Sequence, residues 1–373
     1  MRKHGFTWVV LAVCAVAFVA AMPTGAVAGQ KKTGGFVIGL SAANIGNTWC
    51  AQFVEDFENR AREYIAEGAM SDFQVASTNG NVTEQITQCL TMINNGVDAL
   101  LVWPVSPTAL QSVVDAAKAN GVMIIMANEP GAYAGVPAII GDNAEFQRIQ
   151  AKWLVEQLRG EGEILQITGF PGFASDDLRQ AAAAEVFADY PGIVTLASAP
   201  GNWSTTIAQQ AMTTFLATYD DFDAVFSQDV MVEGILKAFE NAEVEPEIMT
   251  GDYTLSFFKK WKAKPNLNSI GVTYQPGVIV TVLDFTIHLL RGKSIKKEFL
   301  VENPLNASMI NTVYIKPAYV VTRDGDPDAS WMRGLAGTKA ISLDAVLEML
   351  KDQSDTVSLD GWMSREEVAK FFE

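Results

Sequence analysis

Histidine and cysteine are scarce in this sequence of 373 residues: the histidines are His4 and His288, and the cysteines are Cys14, Cys50 and Cys89. This scarcity argues against a histidine-rich metal centre and a small disulfide-stapled fold. It also leaves few side chains for Ser-His-Asp or Cys-His catalysis. We therefore expect a protein that is not an enzyme and that requires neither a metal nor a cofactor.

Positive charge is also in short supply. Lys and Arg number 27 against 43 Asp and Glu, which gives a formal net charge of −16. Such a surface repels phosphate backbones, so nucleic acid is not an expected partner. In contrast, apolar residues make up 49% of the chain, and the length favours two domains of about 150 residues, each with its own core.

The N-terminus has the order of a secretory signal peptide. Arg2 and Lys3 precede an apolar run at residues 8–20, and small residues at 26–28 provide a cleavage site. A membrane anchor is the alternative, but the run is short and Pro23 follows it. Because Cys14 lies inside the run, a lipoprotein signal is not indicated. Residues 1–28 therefore predict export of a soluble protein.

From Phe36 onward, short β-branched runs alternate with stretches of helical spacing such as Phe53, Phe57 and Ala61. Strand candidates in the first array are residues 36–40, 73–76, 99–102, 122–126 and 138–140. Those in the second are 164–167, 194–196, 224–226, 248–250 and 270–272. The pattern predicts an α/β fold of two doubly wound, Rossmann-like parallel-sheet lobes facing a cleft, with ligands at the carboxyl ends of the strands.

Flat aromatics, amides and carboxylates follow these strands. Sugar hydroxyls donate and accept hydrogen bonds, which suits amide and carboxylate partners, and the C–H faces of sugars pack on Trp rings. A single Asp or Asn after a strand is more often a helix N-cap than a ligand. Their recurrence in both lobes nevertheless favours a cleft that binds a polyhydroxylated solute.

Several stretches carry a family resemblance: Asn47-Thr48-Trp49 opening a helix, NGVDALLV at 95–102, GDN at 141–143 and VTYQP at 272–276. With these in order, the chain from about Gly35 to Pro317 resembles the periplasmic sugar-binding proteins of ABC transporters, the ribose- and galactose-binding group with the type I fold. No single stretch is diagnostic, but together they cover most of the chain.

The resemblance implies a three-stranded hinge, with crossings near Gly141, near Gln275 and around Asn303. The first lobe would then comprise 35–141 and 276–303, and the second 142–275 and 304–317. Residues 318–373 would form a helical extension, with helices beginning near Ser342 and Ser364, that packs on a lobe or offers a partner surface.

The implied function is non-enzymatic capture of a sugar or sugar-like solute by hinge closure, followed by delivery to an ABC permease, by a monomer. A receptor that serves a chemotaxis or sensor-kinase partner without transport is the alternative. A glycoside-acting enzyme is a weaker one, because the adjacent Asp176 and Asp177 point about 100° apart on a helix.

The resemblance also assigns ligand-binding residues. They are Asn47, Trp49, Trp103, Asn128 and Glu129 from the first lobe, and Asp142, Asp177, Trp203, Gln228, Asp252 and Gln275 from the second. Asp177 aligns with the family's cleft arginine, and Arg179 lies two residues on. A cleft rich in carboxylates and without a cation would disfavour standard ribose or galactose. It leaves a sugar alcohol, a furanose, an amino sugar or another neutral or cationic solute, and makes an anion the least expected cargo.

Two cysteines, Cys50 and Cys89, remain after signal cleavage, on the helices after the first and second strands. With right-handed crossovers and the strand order 2-1-3, these helices lie on opposite faces of the sheet. A disulfide spans at most about 7 Å between Cα atoms, so we predict that both are unpaired.

Overall fold

A computed structural model describes residues 34–373, and the predicted signal peptide lies outside them. The first strands and helices form one lobe. They are β1 (Phe36–Ala42), α1 (Thr48–Ala66), β2 (Met70–Ser77), α2 (Val82–Asn94), β3 (Ala99–Val102), α3 (Gln111–Ala119), β4 (Met123–Asn128) and β5 (Ala138–Gly141). All four residues of β3 are buried because helices cover both faces of the parallel sheet.

The chain then crosses to the second lobe. Its elements are α4 (Asn143–Gln157), β6 (Glu161–Thr168), α5 (Ala174–Ala188), β7 (Gly192–Pro200), α6 (Thr205–Thr218), β8 (Ala224–Phe226), α7 (Met231–Ala242), β9 (Ile248–Thr250), α8 (Leu255–Ala263) and β10 (Asn268–Val272). All ten predicted strands are present, and the two-lobed α/β fold is confirmed.

The return to the first lobe is longer than predicted. Helix α9 (Val278–Leu290) packs on α1, as expected, and is followed by β11 (Val301–Asn303) and β12 (Asn306–Ile315). Strand β12 runs parallel to β5, with Val313 opposite Ile139, so residues 306–315 belong to the first lobe. The predicted crossing around Asn303 is therefore wrong. A tight hairpin turn at 304–305 keeps the chain in the first sheet, and it crosses at residues 316–318.

The C-terminal residues are part of both lobes. Strands β13 (Tyr319–Thr322) and β14 (Lys339–Ser342) extend the second sheet, so the extension is not purely helical. Helices α10 (Leu343–Met349) and α11 (Arg365–Ala369) begin after the predicted Ser342 and Ser364 caps. At α11, Ser364 and Glu367 form a capping box.

Both sheets have seven strands, in the orders β11-β12-β5-β4-β3-β1-β2 and β14-β13-β10-β9-β8-β6-β7. In the first, β1 lies between β2 and β3, so α1 and α2 cover opposite faces. Cys50 and Cys89 accordingly lie in separate hydrophobic clusters and are free thiols, as predicted. Within residues 34–373, no helix is both long and apolar enough to cross a membrane.

Candidate functional site

A cavity of about 530 Å³ lies between the lobes at the carboxyl ends of their strands. Its size falls within the range of about 300–1,000 Å³ that is usual for small-molecule sites. Residues lining it from the first lobe include Asn44, Asn47, Trp49, Asn79, Trp103, Asn128 and Glu129. Those from the second lobe and the hinge include Phe170, Phe173, Ser175, Arg179, Asn202, Trp203, Asp229, Tyr253 and Tyr274. We call this space the interlobe cavity.

The first-lobe wall is a cluster of aromatic rings. Trp49, in the first turn of α1, stacks on Tyr274 at 5.8 Å and meets Trp103 edge-on at 5.7 Å between ring centroids. Its Nε1–H donates to the Tyr274 carbonyl at 2.6 Å. Phe53 packs behind both tryptophans. These rings are held by packing against one another and against Tyr274 of the hinge.

Three polar residues complete the first-lobe wall. The Asn47 side chain caps α1 by accepting from the Cys50 N–H at 2.9 Å. Asn128 has a left-handed backbone, with φ of 63°. Across the cavity, the Ser175 N–H donates to Glu129 Oε2 at 3.1 Å. Burial raises the pKa of Glu129 to about 7, although the Ser175 hydrogen bonds and the charge of Arg179 oppose the shift.

Arg179 is the centre of the second-lobe wall. It is only 2% exposed, and its guanidinium lies over the rings of Phe146 at 4.3 Å and Tyr274 at 4.7 Å. Nε donates to Asn143 Oδ1 at 2.8 Å. Nη1 donates to Asp229, with which it forms a short ion pair. A buried cation is tolerated here because a carboxylate and amide oxygens surround it.

Trp203 is held over the second-lobe side of the cavity by an unusual turn. Asn202 and Trp203 both have left-handed backbones, with φ of 56° and 47°. The ring passes so close to Gly169 that a Cβ there would lie 2.5 Å from it. Trp203 Nε1 donates to Gln228 Oε1 at 3.2 Å, which fixes the orientation of the ring.

Six of the eleven predicted ligand residues line the cavity: Asn47, Trp49, Trp103, Asn128, Glu129 and Trp203. Two others are buried behind it. Gln228 accepts from Arg179 Nη1 at 2.6 Å and so orients that side chain. Asp252 accepts from the Tyr253 N–H at 2.7 Å and from the Thr254 hydroxyl at 2.9 Å, and burial raises its pKa to about 7.

Two predicted residues belong to the hinge instead. Asp142 is the N-cap of α4 and accepts from the Glu145 N–H at 2.9 Å. Gln275 donates to the Lys316 carbonyl at 2.9 Å and accepts from the Ala318 N–H at 3.1 Å, which ties the second crossing to the third. Both side chains satisfy backbone groups of the hinge, and neither lines the interlobe cavity.

Asp177 is the clearest correction. It is exposed on the outer side of α5 and does not line the cavity, whereas Arg179 does. The cleft therefore contains a cation, Arg179, although the alignment of Asp177 with the family's arginine had predicted a cleft without one. The helical spacing of apolar residues in α5 could have revealed that Arg179 faces inward, because Arg179 lies on the same buried face as Ala182, Ala183 and Val186.

Tyrosines at the back of the cavity were missed by sequence reasoning. The Tyr253 hydroxyl donates to the Tyr274 carbonyl at 2.9 Å. The Tyr274 hydroxyl donates to the Asn128 carbonyl at 3.1 Å and accepts from Asn143 Nδ2 at 3.1 Å. Burial raises the pKa of both tyrosines, so both remain protonated and tie the two lobes together at the hinge.

Four buried polar atoms of cavity-lining side chains have no hydrogen-bond partner among residues 34–373: Trp103 Nε1, Asn128 Oδ1, Asn202 Oδ1 and Asp229 Oδ1. Twelve other buried side-chain atoms among the described residues are also unpaired, but these four lie on one cavity, where a bound molecule can supply the missing partners. Each lobe contributes two of the four. A ligand that satisfies them must therefore contact both lobes.

Comparisons with known proteins agree with this architecture. The profile of the family described as periplasmic binding protein domain matches residues 38–294. The chain is 30% identical over 172 residues to a xylitol-binding protein of Mycolicibacterium smegmatis, a match that spans 44% of this chain and about half, 48%, of that relative. It is 25% identical over 216 residues to a ribose import binding protein of Bacillus subtilis, covering 57% of this chain and 68% of the relative.

The fold also matches a solved structure, that of an ABC transporter solute binding protein from Thermobispora bispora. The TM-score is 0.72 at 22% identity, and the match covers 90% of this chain and 94% of the other.

Proposed function

The chain belongs to the periplasmic binding protein family, and on this premise we propose that it captures a neutral sugar or polyol in the interlobe cavity and delivers it to the permease of an ABC importer. The names of the two curated relatives support this class of ligand, since one binds xylitol and the other imports ribose.

The four unpartnered buried atoms are the observation that carries the proposal. Trp103 Nε1 is a donor, whereas the oxygens of Asn128, Asn202 and Asp229 are acceptors. A matching ligand supplies one acceptor and three donors distributed between the two lobes. A compact molecule with several hydroxyl groups meets this requirement, because each hydroxyl can both donate and accept.

Charge in the cavity favours a neutral ligand. Arg179 is already paired with Asp229, and the buried Glu129 has its pKa raised to about 7. An anionic solute would have to compete with Asp229 for the guanidinium, and a cationic solute would have to compete with the guanidinium for Asp229. A neutral polyol uses the remaining N–H groups of Arg179 without disturbing the ion pair.

Aromatic rings from both lobes supply the apolar part of the site. Trp49 and Trp103 form the first-lobe wall and Trp203 reaches in from the second, so closure would place the C–H faces of a sugar between them. In this proposal the protein acts outside the cytoplasm as a monomer, after export directed by residues 1–28, and it catalyses no reaction.

A thermal-shift panel of pentoses, hexoses, polyols and amino sugars tests the proposal, since a ligand that binds only the native state raises Tm. Calorimetry with the best ligand then measures Kd. We expect neutral polyhydroxylated compounds to stabilise the protein and amino sugars and sugar acids to have little effect. A panel that gave no shift, or turnover of the ligand, would overturn the proposal.

Trp203→Ala tests the aromatic contact. Because the ring is half-buried and lines the cavity, we expect Kd to rise about tenfold to a hundredfold with little change in Tm. Tyr190→Ala is the matched control, since Tyr190 is an exposed second-lobe aromatic away from the cavity. Equal affinities for the two variants would contradict the role of Trp203.

A further inference from the structure

Residues 357–361, which we call the tail strap, pair with the second lobe. The Leu255 N–H donates to the Val357 carbonyl at 3.0 Å, and the Leu359 N–H donates to the Tyr253 carbonyl at 2.7 Å. Tyr253 itself lines the interlobe cavity. One edge of the strap is thus bonded to the strand-to-helix turn that forms part of the site.

The other edge of the strap bonds to the first lobe. Gln52 on α1 accepts from the Ser358 N–H at 2.9 Å and donates to the Ser358 carbonyl at 3.3 Å. Gln52 also donates to Asp360 Oδ2 at 3.1 Å. Ser358 therefore lies between the two lobes, with hydrogen bonds to α1 on one side and a β-bridge to Thr254 on the other.

Asp360 attaches the strap to the hinge itself. Its Oδ1 accepts from the Gly277 N–H at 2.8 Å, at the second crossing, and from the Gly361 N–H at 2.7 Å. Gly361 packs against Ala318 of the third crossing so closely that a Cβ there would lie 2.7 Å from it. The strap thus contacts two of the three crossings directly.

The chain is anchored on different lobes before and after the strap. Upstream, Leu343 and Val346 of α10 are buried against the second lobe. Downstream, Arg365 Nη1 donates to both carboxylate oxygens of Glu67, at 2.7 and 2.9 Å. Phe372 stacks on His288 of α9 at 4.7 Å. The strap therefore cannot detach as a whole without loss of packing in one lobe.

We propose that the tail strap is a fourth connection between the lobes that limits how far the cleft opens in the solute-free protein, with Asp360 as its positioning residue. This inference rests on the proposed capture by hinge closure. Rotation of the lobes apart moves Gln52 and Gly277 relative to Tyr253, so opening breaks the hydrogen bonds on one edge of the strap. The strap thereby favours the closed arrangement and tightens solute binding, because more of the protein is already competent to bind.

A second carboxyl group supports the assignment of Asp360. Asp56 on α1 lies within hydrogen-bonding reach of Asp360. Burial, with a further contribution from the charge of Asp360, raises the pKa of Asp56 to about 9. This buried carboxyl therefore places a second side chain of α1, beside Gln52, against the strap.

The test compares lobe opening in solute-free variants by small-angle scattering and by the distance between labels on the two lobes. Asp360→Ala removes the acceptor for Gly277, and Gln52→Ala removes the first-lobe partner without altering the tail. We expect both to show a larger radius of gyration and a longer, broader interlobe distance than the wild type. Asp360→Asn keeps Oδ1 as the acceptor for Gly277 but replaces Oδ2, the acceptor for Gln52, with an amide donor, so its values should lie between those of the wild type and Asp360→Ala.

Asp355→Ala is the matched control, because Asp355 lies in the same tail but its side chain pairs only with Lys259 of the second lobe. With a bound solute identified, Kd should rise about fivefold to tenfold in Asp360→Ala and Gln52→Ala and stay unchanged in the control. If Asp360→Ala and Gln52→Ala fold but keep the scattering and label distances of the wild type, the proposal that the strap limits cleft opening is wrong. Scattering requires no ligand, so the two proposals can fail separately. A change in cleft opening in a protein that binds no sugar would support the role of the strap and reject the proposed function.

Discussion

The two walls of the interlobe cavity are built on different physical principles. In the first lobe, Trp49 and Trp103 are 8% and 7% exposed and are held by ring packing in the hydrophobic core. In the second lobe, Arg179 and Trp203 are held by hydrogen bonds and an ion pair. The first wall is therefore positioned by packing, whereas the geometry of the second depends on a network in which each member orients the next.

The hydrogen bonds of that network run from Asp176 through Gln228 to Arg179 and Trp203. Asp176 Oδ1 accepts from the Gly169 N–H at 2.8 Å and from Gln228 Nε2 at 3.0 Å. Gln228 Oε1 in turn accepts from both Arg179 and Trp203. Removal of one member leaves buried polar atoms unpaired, which costs more than the lost bond itself. Substitution of a fully buried member such as Arg179 should therefore affect binding and folding together, whereas substitution of the half-buried Trp203 should affect mainly binding.

Arg179→Met is expected to have the largest effect. Met preserves the packing between Phe146 and Tyr274 but leaves Asp229 as a buried, unpaired carboxylate. We expect a loss of about 3–5 kcal/mol in the free energy of unfolding, measured by denaturant titration, and a rise in Kd of about a hundredfold or more.

The control for this variant is Arg148→Met. Arg148 is a partly exposed arginine on α4, paired with Glu145 and Glu185. Its replacement should change the free energy of unfolding by less than about 1 kcal/mol and leave Kd unchanged. Similar losses in the two variants would show that the second-lobe network does not depend on its buried ion pair.

The sequence predicted the sheets and the first-lobe wall well for a physical reason. Strands covered on both faces are continuous apolar runs, so Ala99–Val102 and Ala224–Phe226 were located to the residue. The turn after β1 follows such a run directly, which placed Asn47 and Trp49 correctly in the cavity.

Other features of the site and the fold could not be predicted from the sequence, because the same residue types serve different structural roles. A short carboxylate after a strand can bind a ligand or cap a helix, and Asp142 caps. Strand β12 was missed because its outer half is exposed and its run is mixed in polarity. The contacts of the tail strap with α1, such as those between Gln52 and Ser358, join residues more than 300 positions apart, and no local pattern encodes them.

Glu129 and Asp252 allow a comparison of pH effects in the two lobes, since burial raises the pKa of each to about 7. Because Glu129 and Ser175 belong to different lobes, we expect closure to bury Glu129, to raise its pKa from the usual 4.5 and to take up a proton. The closed form is then favoured fully below about pH 4.5 and progressively less as pH rises through 7. We expect Kd to increase over this window in the wild type and to be nearly independent of pH in Glu129→Gln.

Asp252 is enclosed by its own lobe, so its shifted pKa should affect folding instead. Its contribution to stability is fully present below its usual value of 3.8 and is lost as pH rises through about 7. Asp252→Asn should therefore flatten the decline of Tm with pH without changing the pH dependence of Kd. An unaltered Kd profile in Glu129→Gln would show that closure does not bury that carboxyl.

Asp177→Asn is expected to have the smallest effect, although alignment with the family had placed Asp177 in the cleft. The side chain is exposed on α5, whereas Arg179, two residues along, faces the cavity. We expect Kd to change less than about twofold, because an exposed charge outside the cavity is screened by water and salt. Asp229→Asn in the same assay should raise Kd at least tenfold, since it removes the carboxylate paired with Arg179. A tenfold loss of affinity in Asp177→Asn would instead mean that α5 turns its other face to the solute, and that Arg179 does not form the second-lobe wall.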